Sequence, residues 1–346
     1  MSSTEQSGTK KRSFAGRIGP AIAWRRNMAR DKWLGFLSHW KWGVLVRWPL
    51  RKPYQRGELR LAAPGGGIGD ELMCTPIFAE IKRRNPGCKL TFISRYPEWF
   101  ARHPQIDFIE PFVKGANQNA IQLAYQHAVP PRRTLISLMA ECVGLQMDSG
   151  CISAPELKPG AGFRAKIASI SAPRIVIQPL ASRWTPNKLW PLDYWGELIG
   201  ELVKDFEVIE VGVDPSFPRD GFGTKFHSFA GTTTLDEFAH AVSQATVFVG
   251  PSSGGMHLAN AFGIESVIIF GGYESPVGYN NPHATNFFSA VPCAPCWLTS
   301  DCPYELKCMK MISPGQVLAA VRDAVNRVSS RLMSSHQELR GTIIER

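Results

Sequence analysis

Two glycine-rich loops, each placed directly after an apolar run, constrain the fold of this chain more than any other feature. The later loop, residues 250–259 (GPSSGGMHLA), lies between the apolar runs 246–249 (TVFV) and 266–270 (SVIIF). Short apolar runs bounded by small residues predict buried strands. The loop between them predicts a short helix whose free N–H groups point at the end of the preceding strand, where phosphate groups bind in nucleotide folds.

The earlier loop has the same character. Residues 64–70 (PGGGIGD) follow a predicted strand over 59–63 (LRLAA) and precede a predicted helix over 71–84. Two strand–glycine loop–helix units predict two nucleotide-fold domains that face each other. That arrangement is suited to the transfer of a sugar from a nucleotide.

Strands and helices alternate along the rest of the chain, which predicts an α/β fold with doubly wound parallel sheets. Further strands are predicted over residues 89–94, 106–111, 174–179 and 206–213, and helices over 194–204, 235–244 and 314–331. Residues 112–160 show no clear periodicity. The predicted domains are an N-terminal extension (1–57), an acceptor-side Rossmann-like domain (58–168), a donor domain (169–330) and a polar tail (331–346).

The positive charge of the chain is confined to its N-terminal extension. The chain has a net charge of +10, but residues 1–57 contain 13 Lys or Arg and only 2 Asp or Glu. The remainder contains 26 basic and 27 acidic residues. Because binding to a nucleic-acid backbone needs clustered positive charge, the folded part is not expected to bind nucleic acid.

The extension is predicted to contain a basic amphipathic helix over residues 22–48, with Trp33, Trp40 and Trp48 on one side. Trp prefers the headgroup boundary of a bilayer, and anionic lipids attract Arg and Lys, so the helix is interpreted as an anchor on the inner membrane surface. The alternative is that its Trp face packs on the protein itself. No run is long enough to span a bilayer and we find no secretory signal, which predicts a cytoplasmic protein, peripheral on the inner face of the inner membrane.

Four short motifs occur in order along the chain. They are residues 67–70 (GIGD) with 75–76 (TP), residues 188–191 (KLWP), residues 253–259 (SGGMHLA), and a closing Cys-rich segment over 292–309. Together, over about residues 58–325, they resemble glycosyltransferase family 9, the bacterial lipopolysaccharide heptosyltransferases. The resemblance implies a GT-B type fold of two facing Rossmann-like domains, with the donor nucleotide on the C-terminal one. It also implies an ADP-linked donor and inversion at the anomeric carbon.

Asp70 is the candidate catalytic base. Inverting transfer needs a carboxylate that takes the proton of the acceptor hydroxyl as that hydroxyl attacks the sugar. Asp70 closes the first loop at a predicted helix start, where the positive partial charge of the helix favours the ionised form. It also matches the base of the family motif. The alternative, from the residue alone, is that Asp70 only caps the helix.

The donor diphosphate is expected to bind without a metal ion. No Asp-x-Asp triplet, the usual Mg²⁺-holding motif of sugar-nucleotide enzymes, occurs in the chain. Lys188, Arg183 and the helix N-terminus at residues 252–255 would then stabilise the charge of the leaving group. The alternative for Lys188 is an exposed lysine without a role.

Further donor-binding residues are expected around the second loop. They are Ser252, Ser253, Gly254, Gly255 and His257, together with Asp214 after the predicted strand 206–213. Asp214 stands where an acidic residue can bind ribose hydroxyls, although Asp is also common in turns. His257 would contact phosphate or sugar, or else face the core. Heptosyltransferases of the family usually carry Asp at position 252, so the neutral Ser252 supports glycosyl transfer better than it supports heptose.

Cys293, Cys296, Cys302 and Cys308 place four thiols within sixteen residues. This density, beginning with Cys-x-x-Cys, is typical of a tetrahedral structural Zn or Fe site. Reduced, partly buried thiols are the alternative. No cofactor is expected for catalysis itself.

The sequence therefore predicts an inverting, metal-independent glycosyltransferase. It would move a heptose or a related sugar from a nucleotide-sugar donor to a bacterial lipopolysaccharide or another lipid-linked or surface-glycan acceptor. A protein heptosyltransferase and a transferase with a different donor sugar are the alternatives within this class. A non-catalytic nucleotide-sugar-binding partner is the alternative outside it, and the presence of both Asp70 and Lys188 argues against it.

Overall fold

A computed structural model describes residues 52–115, 119–181 and 185–341, with side chains up to residue 333. The helix expected over 22–48 and the side chain of Arg183 lie outside the described residues. Within the described ranges, no helix combines the length and the apolar character that a membrane span requires.

The first half of the described chain forms a four-stranded parallel sheet. Its strands are β1 (Glu58–Ala62), β2 (Lys89–Ser94), β3 (Phe108–Pro111) and β4 (Ile121–Gln122), and its helices are α1 (Ile68–Leu72), α2 (Thr75–Arg84), α3 (Pro97–Phe100) and α4 (Leu135–Glu141). The strand order is β3-β2-β1-β4, so the winding reverses at β1, which pairs with both β2 and β4.

The second half forms a six-stranded parallel sheet. Its strands are β5 (Arg174–Ile177), β6 (Glu207–Glu210), β7 (Phe226–Ser228), β8 (Val247–Pro251), β9 (Glu265–Gly271) and β10 (Ala284–Phe288). The helices are α5 (Ala161–Ser169), α6 (Leu192–Asp205), α7 (Leu235–Ser243), α8 (Gly254–Ala261), α9 (Lys307–Lys310) and α10 (Pro314–Gly341). The order β10-β9-β8-β5-β6-β7 is that of a complete dinucleotide-binding fold, with its switch point between β5 and β8. The predicted pair of doubly wound sheets is confirmed.

Helix α6 illustrates why the sequence forms these elements. Trp195, Leu198, Ile199 and Leu202 recur at three- and four-residue steps, and all four are buried. They pack in a cluster with apolar residues of the sheet and of α10. Full burial of one such side chain contributes about 1.5–3 kcal/mol, so this face decides where the helix lies.

The second, larger hydrophobic cluster joins the two sheets. It contains Leu61 of β1, Phe78 of α2, Phe248 of β8 and Met256 of α8, all nearly inaccessible to solvent. The two units therefore share apolar packing on their inner sides. This packing holds α1 against α8.

The observed elements differ from the predicted ones in several places. The helix expected over 71–84 is two helices, α1 and α2, because Pro76 lacks the N–H that would continue α1 and instead begins a new helix. The aperiodic region 112–160 contains β4 and α4, and α10 continues to Gly341. The short strands β7 and β10 lie at the two edges of the sheet and depend on pairing with their neighbours.

Candidate active site

The two glycine-rich loops meet at the carboxyl ends of β1 and β8. A Cβ added to Gly254 would overlap Ile68 Cγ2, and one added to Gly69 would lie 2.6 Å from His257 Cδ2. Any side chain at these glycines would push the loops apart. Doubly wound folds bind ligands at this edge of the sheet, beside the switch point. The candidate base Asp70 and the candidate donor-binding loop therefore lie at the place where a ligand is expected.

Asp70 is the third residue of α1 and lies in this convergence. Its Oδ1 accepts a hydrogen bond of 2.9 Å from Tyr125 Oη, which comes from the segment after β4. The backbone N–H of Gly67, the N-cap residue of α1, also favours the ionised carboxylate. The Tyr125 hydrogen bond is a contact that capping of the helix does not need.

Burial raises the pKa of Asp70 above its usual value, although the Tyr125 hydrogen bond and the positive charge of Lys188 act in the opposite direction. The negative charge of Glu274 adds to the rise. A helix cap alone would lower a carboxyl pKa, because it stabilises the charged form. A raised pKa brings a carboxylate closer to the range in which general bases are effective.

Glu71, the next residue, is 1% exposed and fixes α1 to the end of β2. Its carboxylate accepts the hydroxyl of Ser94 and, at 2.8 Å, the backbone N–H of Arg95. Burial raises the pKa of Glu71 to about 7. We infer that Glu71 positions Asp70 through the helix that carries both residues.

Lys188 approaches the site from the second unit. It ends a 3-10 turn, Pro186–Lys188, whose Asn187 donates to the carbonyls of Leu298 (2.6 Å) and Ser300 (2.8 Å). Lys188 Nζ lies 2.8 Å from Glu274 Oε1 and donates to the backbone carbonyl of Ser252 at 3.3 Å. The ammonium group is thus held beside the second glycine-rich loop.

Ser252 and Ser253 have different partners. The Ser252 hydroxyl donates to Glu274 Oε2, so the position where resembling enzymes carry Asp is here hydrogen-bonded to a carboxylate from another loop. Ser253 Oγ donates to Gln178 Oε1 at 2.8 Å, and the backbone N–H of Gly255 donates to the same oxygen at 3.2 Å. One of the N–H groups at the start of α8 is therefore already hydrogen-bonded to Gln178.

His257 is buried, with 6% exposure, and its ring lies 5.6 Å from that of Tyr279. Burial, assisted by the positive charge of Lys188, lowers the pKa of His257 to about 3. The imidazole is therefore neutral at neutral pH. Its ring extends from α8 to Gly69 of α1, so the core-facing alternative describes its surroundings, and a donor contact stays a prediction.

Among the described residues, Asp214 is not part of this cluster, and Arg183 lies outside the described residues. Asp214 is exposed in the loop after β6, one strand away from the switch point. Arg183 lies in the undescribed segment 182–184. Their proposed donor contacts remain predictions.

The four cysteines of the closing segment are half-buried thiols. Burial raises the pKa of Cys296 to about 12, and the charges of the other three thiols add to the rise. Across the described ranges, no group of three or more His, Cys, Asp or Glu residues is arranged as metal ligands. The segment is not remote from the site: the backbone N–H groups of Cys296 and Trp297 donate to Gly272 and Tyr273, the residues just before Glu274.

Sequence reasoning missed four residues of the site: Tyr125, Gln178, Glu274 and Glu71. The first three follow the carboxyl ends of β4, β5 and β9, within three residues of the strand end. Their position just after a strand could have identified them as candidates, because ligands bind at this edge of the sheet. Which of the polar residues after a strand turn towards the site depends on loop geometry and could not be read from the order of residues.

Comparison with known structures finds the same fold in solved heptosyltransferases and a related glycosyltransferase. Escherichia coli ADP-heptose lps heptosyltransferase II superposes with a TM-score of 0.56 at 16% identity, over 78% of this chain and 99% of that one. The iron-containing dodecameric glycosyltransferase TibC from enterotoxigenic E. coli H10407 gives 0.60 at 18% identity, over 79% of each chain. Its complex with ADP-D-beta-D-heptose gives 0.61, over 80% of this chain and 78% of that one. At these identities the similarity shows a common fold.

No curated protein sequence matches the chain significantly. The family model described as glycosyltransferase family 9 (heptosyltransferase) matches residues 114–305, which is more than half of the chain. The match includes Tyr125, Lys188, the second glycine-rich loop and Glu274. The chain therefore belongs to glycosyltransferase family 9, the heptosyltransferase family, and is a glycosyltransferase.

Proposed function

We propose that the protein transfers a heptose or a related sugar from an ADP-linked donor to a lipopolysaccharide or another surface glycan, with inversion. The acceptor oxygen forms a bond to the anomeric carbon while the bond from that carbon to the diphosphate breaks. The acceptor's proton goes to Asp70, and the electron pair leaves with the diphosphate. In this proposal residues 58–168 form the acceptor-side domain and residues 169–330 the donor domain.

One observation carries the proposal: an acidic group of the first unit and a basic group of the second lie close enough for their charges to interact. Asp70 comes from α1 and Lys188 from the second unit, and the Lys188 charge acts on the Asp70 carboxyl. A base for the attacking hydroxyl and a cation for the departing diphosphate are the two groups that this reaction needs. The ADP-D-beta-D-heptose bound to the structural relative TibC supports the choice of donor.

The proposal is tested by incubating the full chain with ADP-heptose and lipopolysaccharide truncated at the inner core, and measuring acceptor-dependent ADP release and the mass of the product. We expect turnover that persists in EDTA, because Lys188 supplies the positive charge. A strict need for added Mg²⁺ or Mn²⁺ would contradict the metal-independent mechanism. Absence of product with any nucleotide sugar and any glycan would contradict the transfer itself.

We propose that residues 22–48 hold this cytoplasmic enzyme on the inner face of the inner membrane, where a lipid-linked acceptor would lie. The basic residues there are each attracted to anionic lipid by about 1 kcal/mol near the surface. Full-length protein is expected to float with anionic vesicles and to be released by salt, whereas a chain starting at Gly57 should stay behind and keep its donor site. If the full-length protein does not float with anionic vesicles, the anchor proposal is wrong. Unfolding of the truncated chain would also contradict it.

We propose that Cys293, Cys296, Cys302 and Cys308 hold one structural Zn or Fe ion. Four thiols within sixteen residues form the donor set that these metals take, although the described sulfur atoms are not in a ligand arrangement. When bound, the ion would pin the segment that hydrogen-bonds the backbone before Glu274. Iron in TibC supports the proposal.

Elemental analysis of purified protein is expected to find about one Zn or Fe per chain, as four thiolates imply. Cys296→Ser should lose the metal, while Cys151→Ser, which changes an exposed cysteine outside the segment, should keep it. Folded, active protein without metal would leave only the buried-thiol alternative.

A further inference from the structure

Glu274 is a buried carboxylate with two donors bound to it. It lies three residues after the end of β9 and is 2% exposed. Oε1 pairs with Lys188 Nζ at 2.8 Å, and Oε2 accepts the Ser252 hydroxyl. A carboxylate offers about four acceptor positions, so these contacts leave about two for other donors.

The place of Glu274 follows from the two groups on either side of it. In an inverting displacement, the attacking hydroxyl and the departing diphosphate lie on opposite sides of the anomeric carbon, so the sugar ring lies between the base and the cation. Glu274 touches Lys188, and its charge acts on both Asp70 and Tyr125. It therefore borders the space between them.

The Lys188–Glu274 pair is not explained by stability. A buried ion pair gains roughly what it loses in desolvation, and an apolar pair of similar volume is often as stable. A diphosphate, however, competes with Glu274 for the Lys188 ammonium group. Once the diphosphate takes Lys188, Oε1 is left without its cation in a buried site, and a buried acceptor requires a new donor.

We propose that Glu274 is a specificity-determining residue of the donor site, whose Oε1 accepts a hydroxyl group of the transferred sugar when the donor diphosphate binds Lys188. The inference rests on the proposed function, because it needs a diphosphate on Lys188. Sugar hydroxyls are donors, and a hydrogen bond to a carboxylate is about twice as strong as one between neutral groups. A donor with no hydroxyl at this position would leave the carboxylate unpaired.

Isothermal titration with ADP and with ADP-heptose tests the inference. Glu274→Gln keeps the shape of the side chain but removes its charge. We expect its affinity for ADP to stay within about threefold of wild type or to rise, because Lys188 loses a competing anion. Affinity for ADP-heptose should fall about 10- to 100-fold relative to ADP, the range for losing a charged hydrogen bond.

Glu265→Gln is the matched control. Glu265 is the first residue of β9, the strand that Glu274 follows; it is 4% exposed and pairs with Arg327 at 3.0 Å and Arg331 at 2.7 Å. It should leave the ratio of the two affinities unchanged. If Glu274→Gln does not fold, Ser252→Ala is used instead; it keeps the charge but removes the hydrogen bond that orients the carboxylate, and should lower the same ratio by about 3- to 10-fold, as expected for one hydrogen bond.

Equal losses of affinity for ADP and ADP-heptose in Glu274→Gln, or no change in either, would overturn the inference and leave the proposed function intact. A ratio lowered to the same extent by Glu265→Gln would also overturn it, since the effect would then be a general one. If the wild-type protein binds neither nucleotide, the proposed function fails and the inference fails with it.

Discussion

Asp70→Asn is expected to lower kcat by about 10²- to 10⁴-fold, the usual loss when a general base is removed. The amide keeps the size of the side chain and can still accept the Tyr125 hydroxyl, but it cannot take the acceptor's proton. Donor affinity should stay within about threefold, because the donor's charge is bound by Lys188 from the other sheet. Steady-state turnover and titration with ADP separate the two quantities.

Asp193→Asn is the matched control for this variant. Asp193 also lies in the first turn of a helix, α6, but it is exposed. It should keep full turnover, which separates loss of the base from loss of a helix-terminal charge. Near-normal turnover in Asp70→Asn would show that Asp70 is only a cap.

The pH dependence follows from the direction of the Asp70 shift. Because the base must be ionised, kcat/KM should fall as the pH falls through the raised pKa of Asp70, at a higher pH than an unperturbed aspartate would give. Tyr125→Phe removes a hydrogen bond that lowers this pKa, so the acid limb should move to still higher pH. If the acid limb of the pH profile does not move in Tyr125→Phe, the group that titrates there is not Asp70.

Lys188→Ala is expected to lower kcat/KM by about 10²- to 10³-fold, since removal of a single group that stabilises transition-state charge has effects of this size. It should also lower the free energy of unfolding by about 3 kcal/mol, because it leaves the buried Glu274 carboxylate without its cation. ADP affinity should fall together with the rate.

The double variant Lys188→Ala with Glu274→Gln separates these two effects. Removing the unpaired charge should restore most of the stability, as measured by urea unfolding, but neither ADP affinity nor rate. Lys204→Ala, which changes an exposed lysine at the end of α6, is the control and should alter neither quantity. Full recovery of ADP binding in the double variant would show that Lys188 does not contact the diphosphate.

Local pattern predicted much of the scaffold. The two glycine-rich loops and the apolar runs before them are contiguous in the chain, and strand, loop and helix form from residues within about twenty positions of one another. The strands at 89–94 and 174–177 and the helix at 235–243 therefore agree with their predicted positions to within a few residues. The short strands β4, β7 and β10 escaped prediction because only pairing with a neighbour defines them.

The sequence by itself determined which loops and which charged residues lie at strand ends. Apolar strands that alternate with amphipathic helices bury their apolar surfaces together in a doubly wound sheet, and this fixes where each strand ends. Only the tertiary structure decided which of those residues meet. Tyr125 and Asp70 are 55 positions apart in the chain, and Lys188 and Glu274 are separated by 86, yet each pair is in contact. Parallel strands bring distant carboxyl ends to one edge of a sheet, and the packing of α1 against α8 then brings the two edges together.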